Sequence, residues 1–150
     1  MQQGITRTHV DPGSTDRLQP LRRELGITTF GVNLMSLEPR QRGRIHRHAV
    51  QEEAYLVLEG TLTVVVEREE HDLGPFDAIR VAPDLRRQLV NRGAQRTLFL
   101  ALGGSGEHAG RDGEAFASWD DTVSKLPADL PIPPDLPVPG DVPVPPDLTY

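Results

Sequence analysis

The sequence has no cysteine, which excludes disulfides and thiolate metal ligands. It has no apolar run near the roughly 20 residues that a membrane-spanning helix needs. Its first residues, MQQGITRTHVDPGSTD, are polar and lack the apolar centre of a signal peptide. The expectation is therefore a soluble, cytoplasmic protein. No long amphipathic helix and no DNA-binding helix pair can be traced. Aromatic residues make up only 5% of the chain and do not interleave with the basic run Arg40, Arg42, Arg44 and Arg47. That run is expected to be a solvated strand edge rather than a nucleic-acid surface. The formal charge of −6 points the same way. Neither nucleic acid nor a membrane is expected as a partner.

What is present is β texture in a chain of 150 residues, enough for one domain with a core. From Ile27 to Leu102 the segments ITTFGVNLMSL, AYLVLEG, TLTVVVE, REEHDL, AIRVA, RQLVN and RTLFLAL follow one another between Gly-Pro, Pro-Asp and Arg-Gly-Ala breaks. Many short strands at even spacing predict an antiparallel sandwich or barrel. AYLVLEG and TLTVVVE, joined at Glu59-Gly60, are expected to form a hairpin. PLRRELG is expected to be a short helix with proline in its first turn and glycine as its stop. After Gly103 the pattern dissolves, although SWDDTVSKL has the form of a short capped helix.

The tail differs in kind. Nine of the fourteen prolines lie between Pro127 and Pro146, in a six-residue repeat marked by Asp129, Asp135, Asp141 and Asp147. From Pro127 to Tyr150 there is no base, so most of the net negative charge lies in the tail. In polyproline II, with about 3 residues per turn, Leu130, Leu136, Val142 and Leu148 would fall on one ridge. The segment is either a disordered acidic tail or an extended arm whose ridge packs on the barrel or on a partner subunit. The chain thus divides into an N-terminal arm (1–26), a barrel (27–126) and a proline-rich acidic tail (127–150).

The chemistry concentrates between Gly43 and Gly60, GRIHRHAVQEEAYLVLEG. Alternation along a strand puts Arg44, His46 and His48 on one face, and Glu53, Tyr55 and Val57 on one face of the next. Two imidazoles and a carboxylate converging on one interior make a divalent-metal site; the alternative is a pair of solvent-facing histidines. His71, in a charged strand, and His108, in the glycine-rich stretch, are weaker candidates for a further ligand.

His46, His48, four residues, Glu53, six residues and Gly60 together resemble the first motif of the cupin superfamily. That family's leading glycine falls six positions before the first histidine, where this chain has Arg40. GPFDAIRVAPDLRRQLVN, Gly74 to Asn91, is similar to the second cupin motif, with Asp77, Pro83 and Asn91 in place. Phe76 and Asp84 stand at or near glycine positions, and Arg87 stands where the last histidine ligand belongs. The resemblance implies an all-β, small antiparallel barrel of jelly-roll type, commonly a homodimer, with ligands facing inward. It implies His46, His48 and Glu53 as metal ligands.

Arginine has no lone pair to donate to a metal and stays protonated. Two outcomes follow. Arg87 binds a substrate anion beside an open two-His, one-carboxylate site, which suits Fe, Mn, Zn or Ni. Or it forms a bidentate pair with Glu53, closes the site and leaves no metal. Arg44, Tyr55, Arg87 and Asn91 are the candidate ligand-binding residues, and the small-molecule ligand is expected to be an anion: a carboxylate, an enolate or a phosphorylated species. Three functions stay open: an enzyme with oxygenase, isomerase or decarboxylase chemistry, a non-catalytic binding protein, and an interaction protein working through its tail.

Overall fold

The computed structural model describes residues 3–104 and 112–138. Its strands are β1 (Leu18–Pro20), β2 (Phe30–Leu37), β3 (Ile45–His48), β4 (Glu52–Glu59), β5 (Leu62–Val66), β6 (Glu69–Leu73), β7 (Ala78–Val81), β8 (Arg87–Val90), β9 (Thr97–Gly104) and β10 (Gly113–Phe116). They form two antiparallel five-stranded sheets, in the orders β1-β2-β9-β4-β7 and β10-β3-β8-β5-β6. Among the described residues no helix is long and apolar enough to cross a membrane.

The inward residues follow the two-residue period of a strand. Tyr55 and Val57 on β4, Leu62 and Val64 on β5, and Phe99 and Ala101 on β9 are buried and meet in one core. Tyr55 and Phe99 pack edge to face, their ring centroids 6.3 Å apart. Such a pair is worth about 0.5–1.5 kcal/mol beyond its area.

Two expectations about local structure are corrected. AYLVLEG and TLTVVVE are not a hairpin. β4 pairs with β7 and β9, whereas β5 pairs with β6 and β8. Gly60, at φ 76°, carries the chain from one sheet to the other. Both runs are apolar because both face the same core from opposite sides. Nor is 118–126 a helix. The Asp121 carboxylate accepts from the Ala117 and Ser118 N–H groups, and Arg86 donates to the Asp121 carbonyl at 2.6 Å. These bonds turn the backbone outward where a helix would have to close its own.

The helix in PLRRELG is present as α1 (Leu21–Leu25), closed by Gly26 at φ 72°. Just before it, β1 joins the edge of β2, pairing Leu18 with Met35, so the first 26 residues contribute a strand to the barrel. β10 lies in glycine-rich sequence that carries no strand signal, and it pairs with β3 along its length.

Arg40, Phe76 and Asp84 all have positive φ, at 71°, 67° and 68°. All three stand at or near positions where the motifs have glycine; Glu67 and Arg68, at 47° and 72°, share the conformation without standing there. Phe76 is 79% exposed, so its ring contributes little packing against that strain. Phe76→Gly is expected to raise stability by roughly 0.5–1 kcal/mol, the left-handed penalty less the entropy cost of glycine. Urea midpoints measure it; an unchanged or lower midpoint would contradict the account.

Candidate metal centre

β3 and β4 lie in different sheets, and their inner faces bring His46, His48 and Glu53 together. One donor atom from each lies within 4.8 Å of the others. Glu53 Oε2 is 3.2 Å from His48 Nε2 and 3.8 Å from His46 Nε2. The rings sit edge to face with centroids 5.3 Å apart. Ligands of a common ion with bonds near 2.1 Å stand roughly 3–3.4 Å apart, so small shifts bring all three into range.

The other ring nitrogens fix the tautomers. His46 Nδ1 lies 3.1 Å from the Arg44 carbonyl oxygen, which only accepts. His48 Nδ1 lies 2.9 Å from Asp112 Oδ1. Both Nδ1 atoms therefore donate, and each neutral ring turns an Nε2 lone pair toward the Glu53 carboxylate. Acceptor then faces acceptor. Only a cation between them, a proton on a ring or a metal ion, makes that arrangement favourable. Burial opposes charge on His48, but Glu53 and then Asp112 outweigh it and raise its pKa. Burial likewise opposes charge on Glu53, yet His46 and His48 hold its carboxyl well below the usual range.

Two further groups orient the ligands. Asp112 also accepts from the Val50 and Gln51 N–H groups at 3.0 and 2.9 Å and from Gln51 Nε2 at 2.7 Å. A carboxylate behind a ligating histidine fixes the ring and raises its basicity. Tyr55, 1% exposed, donates its hydroxyl to Glu53 Oε2 at 2.7 Å. Burial, then the Glu53 charge, pushes the phenol well above its usual pKa, so it stays a donor. Tyr55 thus holds the carboxylate in place.

Arg87 is the cross-strand neighbour of His46 and is fully buried. Its Nη2 donates to the Ala82 carbonyl at 3.0 Å. Nη1 stands 3.8 Å from Glu53 Oε2, an ion-pair distance beyond hydrogen-bond reach. Nε and Nη1 have no hydrogen-bond partner. The bidentate Arg87–Glu53 pair is therefore not formed. Arg44 is also engaged: its Nε donates to the Leu130 carbonyl at 2.9 Å, while its side chain borders a cavity with His46 and His48. Asn91 stands apart from the site. Its amide donates to the Leu37 and Gln95 carbonyls and accepts from the Gly93 N–H, fixing the turn after β8. His71, on β6, is not in the ligand cluster, and His108 lies outside the described residues.

Several cavities border the site, one of about 840 Å³ reaching Glu53 beside Glu52, Arg80 and Pro83. A cavity of about 270 Å³ borders His48 and Glu53 with Arg22, Arg23, Asn33 and Gln51. The Arg22 Nε there is sealed from solvent and unpartnered. A third cavity, of about 310 Å³, borders His46 and His48 with Leu18, Met35, Leu37 and Leu89. Asp112 and Arg22 were not foreseen. Asp112 is far from β3 in sequence, and Arg22 lies in a helix whose position over the barrel is set by the β1–β2 pairing.

The stretch that builds this site, residues 33–103, matches the Cupin domain family model. Residues 33–103 are a cupin domain. Solved structures carry the same fold. A cupin protein from Bacteroides fragilis superposes with a TM-score of 0.62 at 22% identity, covering 81% of this chain and 98% of that one. A sugar phosphate isomerase of the cupin superfamily from Silicibacter pomeroyi gives 0.59 at 27% identity, covering 76% of each chain. A cupin barrel domain protein from Salinispora arenicola gives 0.56 at 17% identity, covering 66% of this chain and 90% of that one. No curated protein matches the chain.

Proposed function

We propose that this cupin binds a divalent metal through His46, His48 and Glu53 and, beside it, a small oxyanion: a carboxylate, enolate or phosphorylated species. The observation that carries the reading is the convergence of both Nε2 atoms on the Glu53 carboxylate, with Nδ1 of each ring within hydrogen-bond distance of Arg44 O or Asp112. A divalent ion bound there would act as a Lewis acid toward a ligand oxygen.

The anion follows from the remaining cations. Arg87 keeps two N–H-bearing nitrogens, Nε and Nη1, buried without hydrogen-bond partners, at a cost that an incoming oxygen would relieve. Arg22 and Arg23 border the cavity that reaches His48 and Glu53. Among oxygenation, isomerisation and decarboxylation, isomerisation is favoured by the name of the Silicibacter pomeroyi neighbour. The metal-free alternative rests on a closed Arg87–Glu53 pair, and the 3.8 Å separation speaks against it.

The test is a titration of the metal-free protein with Co(II), followed by inorganic phosphate. The reading expects visible absorption bands that shift on adding phosphate. Arg87→Met should keep the bands and weaken the phosphate response by roughly 10- to 100-fold, as for loss of a hydrogen bond to a charged group. Bands that ignore phosphate would contradict the anion; no bands would contradict the metal.

A further inference from the structure

The cavity on the far side of His46 is lined mostly by apolar groups, with Arg17, Arg44, His46 and His48 among them, and Pro127 and Ile132 close it from outside the barrel. These residues belong to the proline-rich segment. Within 127–138, Pro127, Leu130, Pro133 and Leu136 are half-buried while the residues between them are exposed. That spacing of three is the period of a polyproline II turn. Leu130 and Leu136 of the expected ridge therefore face inward; Val142 and Leu148 lie outside the described residues.

The segment is fastened by the arginine run. Arg44 Nε donates to the Leu130 carbonyl and Arg42 Nε to the Pro134 carbonyl, each at 2.9 Å. The Leu136 N–H donates to the Arg40 carbonyl at 2.8 Å. Asp135 lies 3.9 Å from Arg17. Proline offers no N–H, so a proline-rich strap is held by its carbonyls, and guanidinium groups suit that need. This corrects the expectation of a solvated basic edge. Arg47, the last of the run, pairs instead with Glu114 at 2.6 Å.

We infer that residues 127–136 form the outer wall of a ligand chamber over His46, and so help set which ligands the proposed metal site accepts. The chamber beneath Pro127 and Ile132, with Met35, Leu37 and Leu89 opposite, takes the apolar part of an organic anion whose charged end lies toward His46, His48 and Arg44. The cavity that Arg22 and Arg23 border does not include the strap. The inference builds on the proposed function, but its wall can be tested without any metal.

Diethyl pyrocarbonate, which acylates unprotonated imidazole, reports access in the metal-free protein, read residue by residue by mass spectrometry. Two variants release the strap: a chain ending at Leu126, and Arg42→Ala/Arg44→Ala. His46 borders only the strap-covered cavity among those described, whereas His48 borders both. The expected result is a several-fold faster reaction at His46 in both variants, a smaller change at His48, and none at His9 or His71. Equal His46 rates in parent and variants would overturn the inference. A rise shared by His9 and His71 in both variants would overturn it too, since the segment would then hold the barrel together rather than screen a cavity. Metal binding is scored separately, so its failure would count against the metal site and leave the wall to these rates.

Discussion

Gly60→Ala is expected to cost the barrel roughly 3 kcal/mol or more, combining a left-handed backbone penalty with overpacking. At φ 76° an alanine is strained whatever the space around it. The space is also taken. A Cβ there would press into the Arg96 carbonyl oxygen and sit 3.0 Å from Thr97 Cα. Both are backbone atoms at the start of β9, which pairs on both sides with β2 and β4 and cannot retreat cheaply. Thr97 is itself fully buried, and its hydroxyl donates to the Glu59 carbonyl at 3.1 Å. Relieving the clash therefore disturbs the crossing that sets β4 and β5 on opposite sheets. A urea midpoint measures the loss. A change below about 1 kcal/mol would mean that the crossing tolerates a side chain, against the left-handed penalty assumed for it.

Glu53→Gln is the second large effect, and it separates the site's electrostatics from its metal. In the metal-free protein Glu53 is the carboxylate beside a fully buried guanidinium, with Nη1 of Arg87 3.8 Å away. Removing one partner of a buried pair leaves the other charge uncompensated, which costs about 3–5 kcal/mol in well-isolated cases. Glu53 retains 15% side-chain exposure, so the low end of that range is expected here. Adding Arg87→Met removes the stranded charge, and the double variant should recover a large part of the loss. Equilibrium unfolding of the parent, both single variants and the double variant closes the cycle. Additive losses would show that Arg87 and Glu53 do not sense each other across this distance. Metal affinity should not recover in the double variant, because the carboxylate ligand is still missing.

The metal cluster was legible because its information is local. His46 and His48 share a face by strand alternation, and Glu53 follows on the next strand at a spacing that the motif fixes. The β class was legible from the run of short apolar segments. Strand pairing was not, since an apolar strand beside a turn reads alike whether its neighbour lies in the same sheet or across the core. Gly60 marked a turn correctly but not its direction. Asp112 reaches His48 only because β10 pairs with β3, and GEAF in glycine-rich sequence has too little alternation to announce a strand. Asn91 sits in the motif yet serves a turn, because its amide and carbonyl oxygen are within reach of three backbone groups. The six-residue repeat put Leu130 and Leu136 on one ridge, and both are half-buried, as are Pro127 and Pro133 between its steps; the arginine run gave no sign of its partner, a set of backbone carbonyls that carry no sequence signature.

The central claim is that His46, His48 and Glu53 form a metal centre although an arginine holds the position of a further ligand. Its most direct test is elemental analysis of protein purified without a nickel column, beside His46→Ala/His48→Ala. The account predicts close to one equivalent of a divalent metal in the parent, at isolation or after exposure to Fe(II), Mn(II) or Zn(II), and none in the variant. No metal in the parent after such exposure, or equal metal in both, would contradict it.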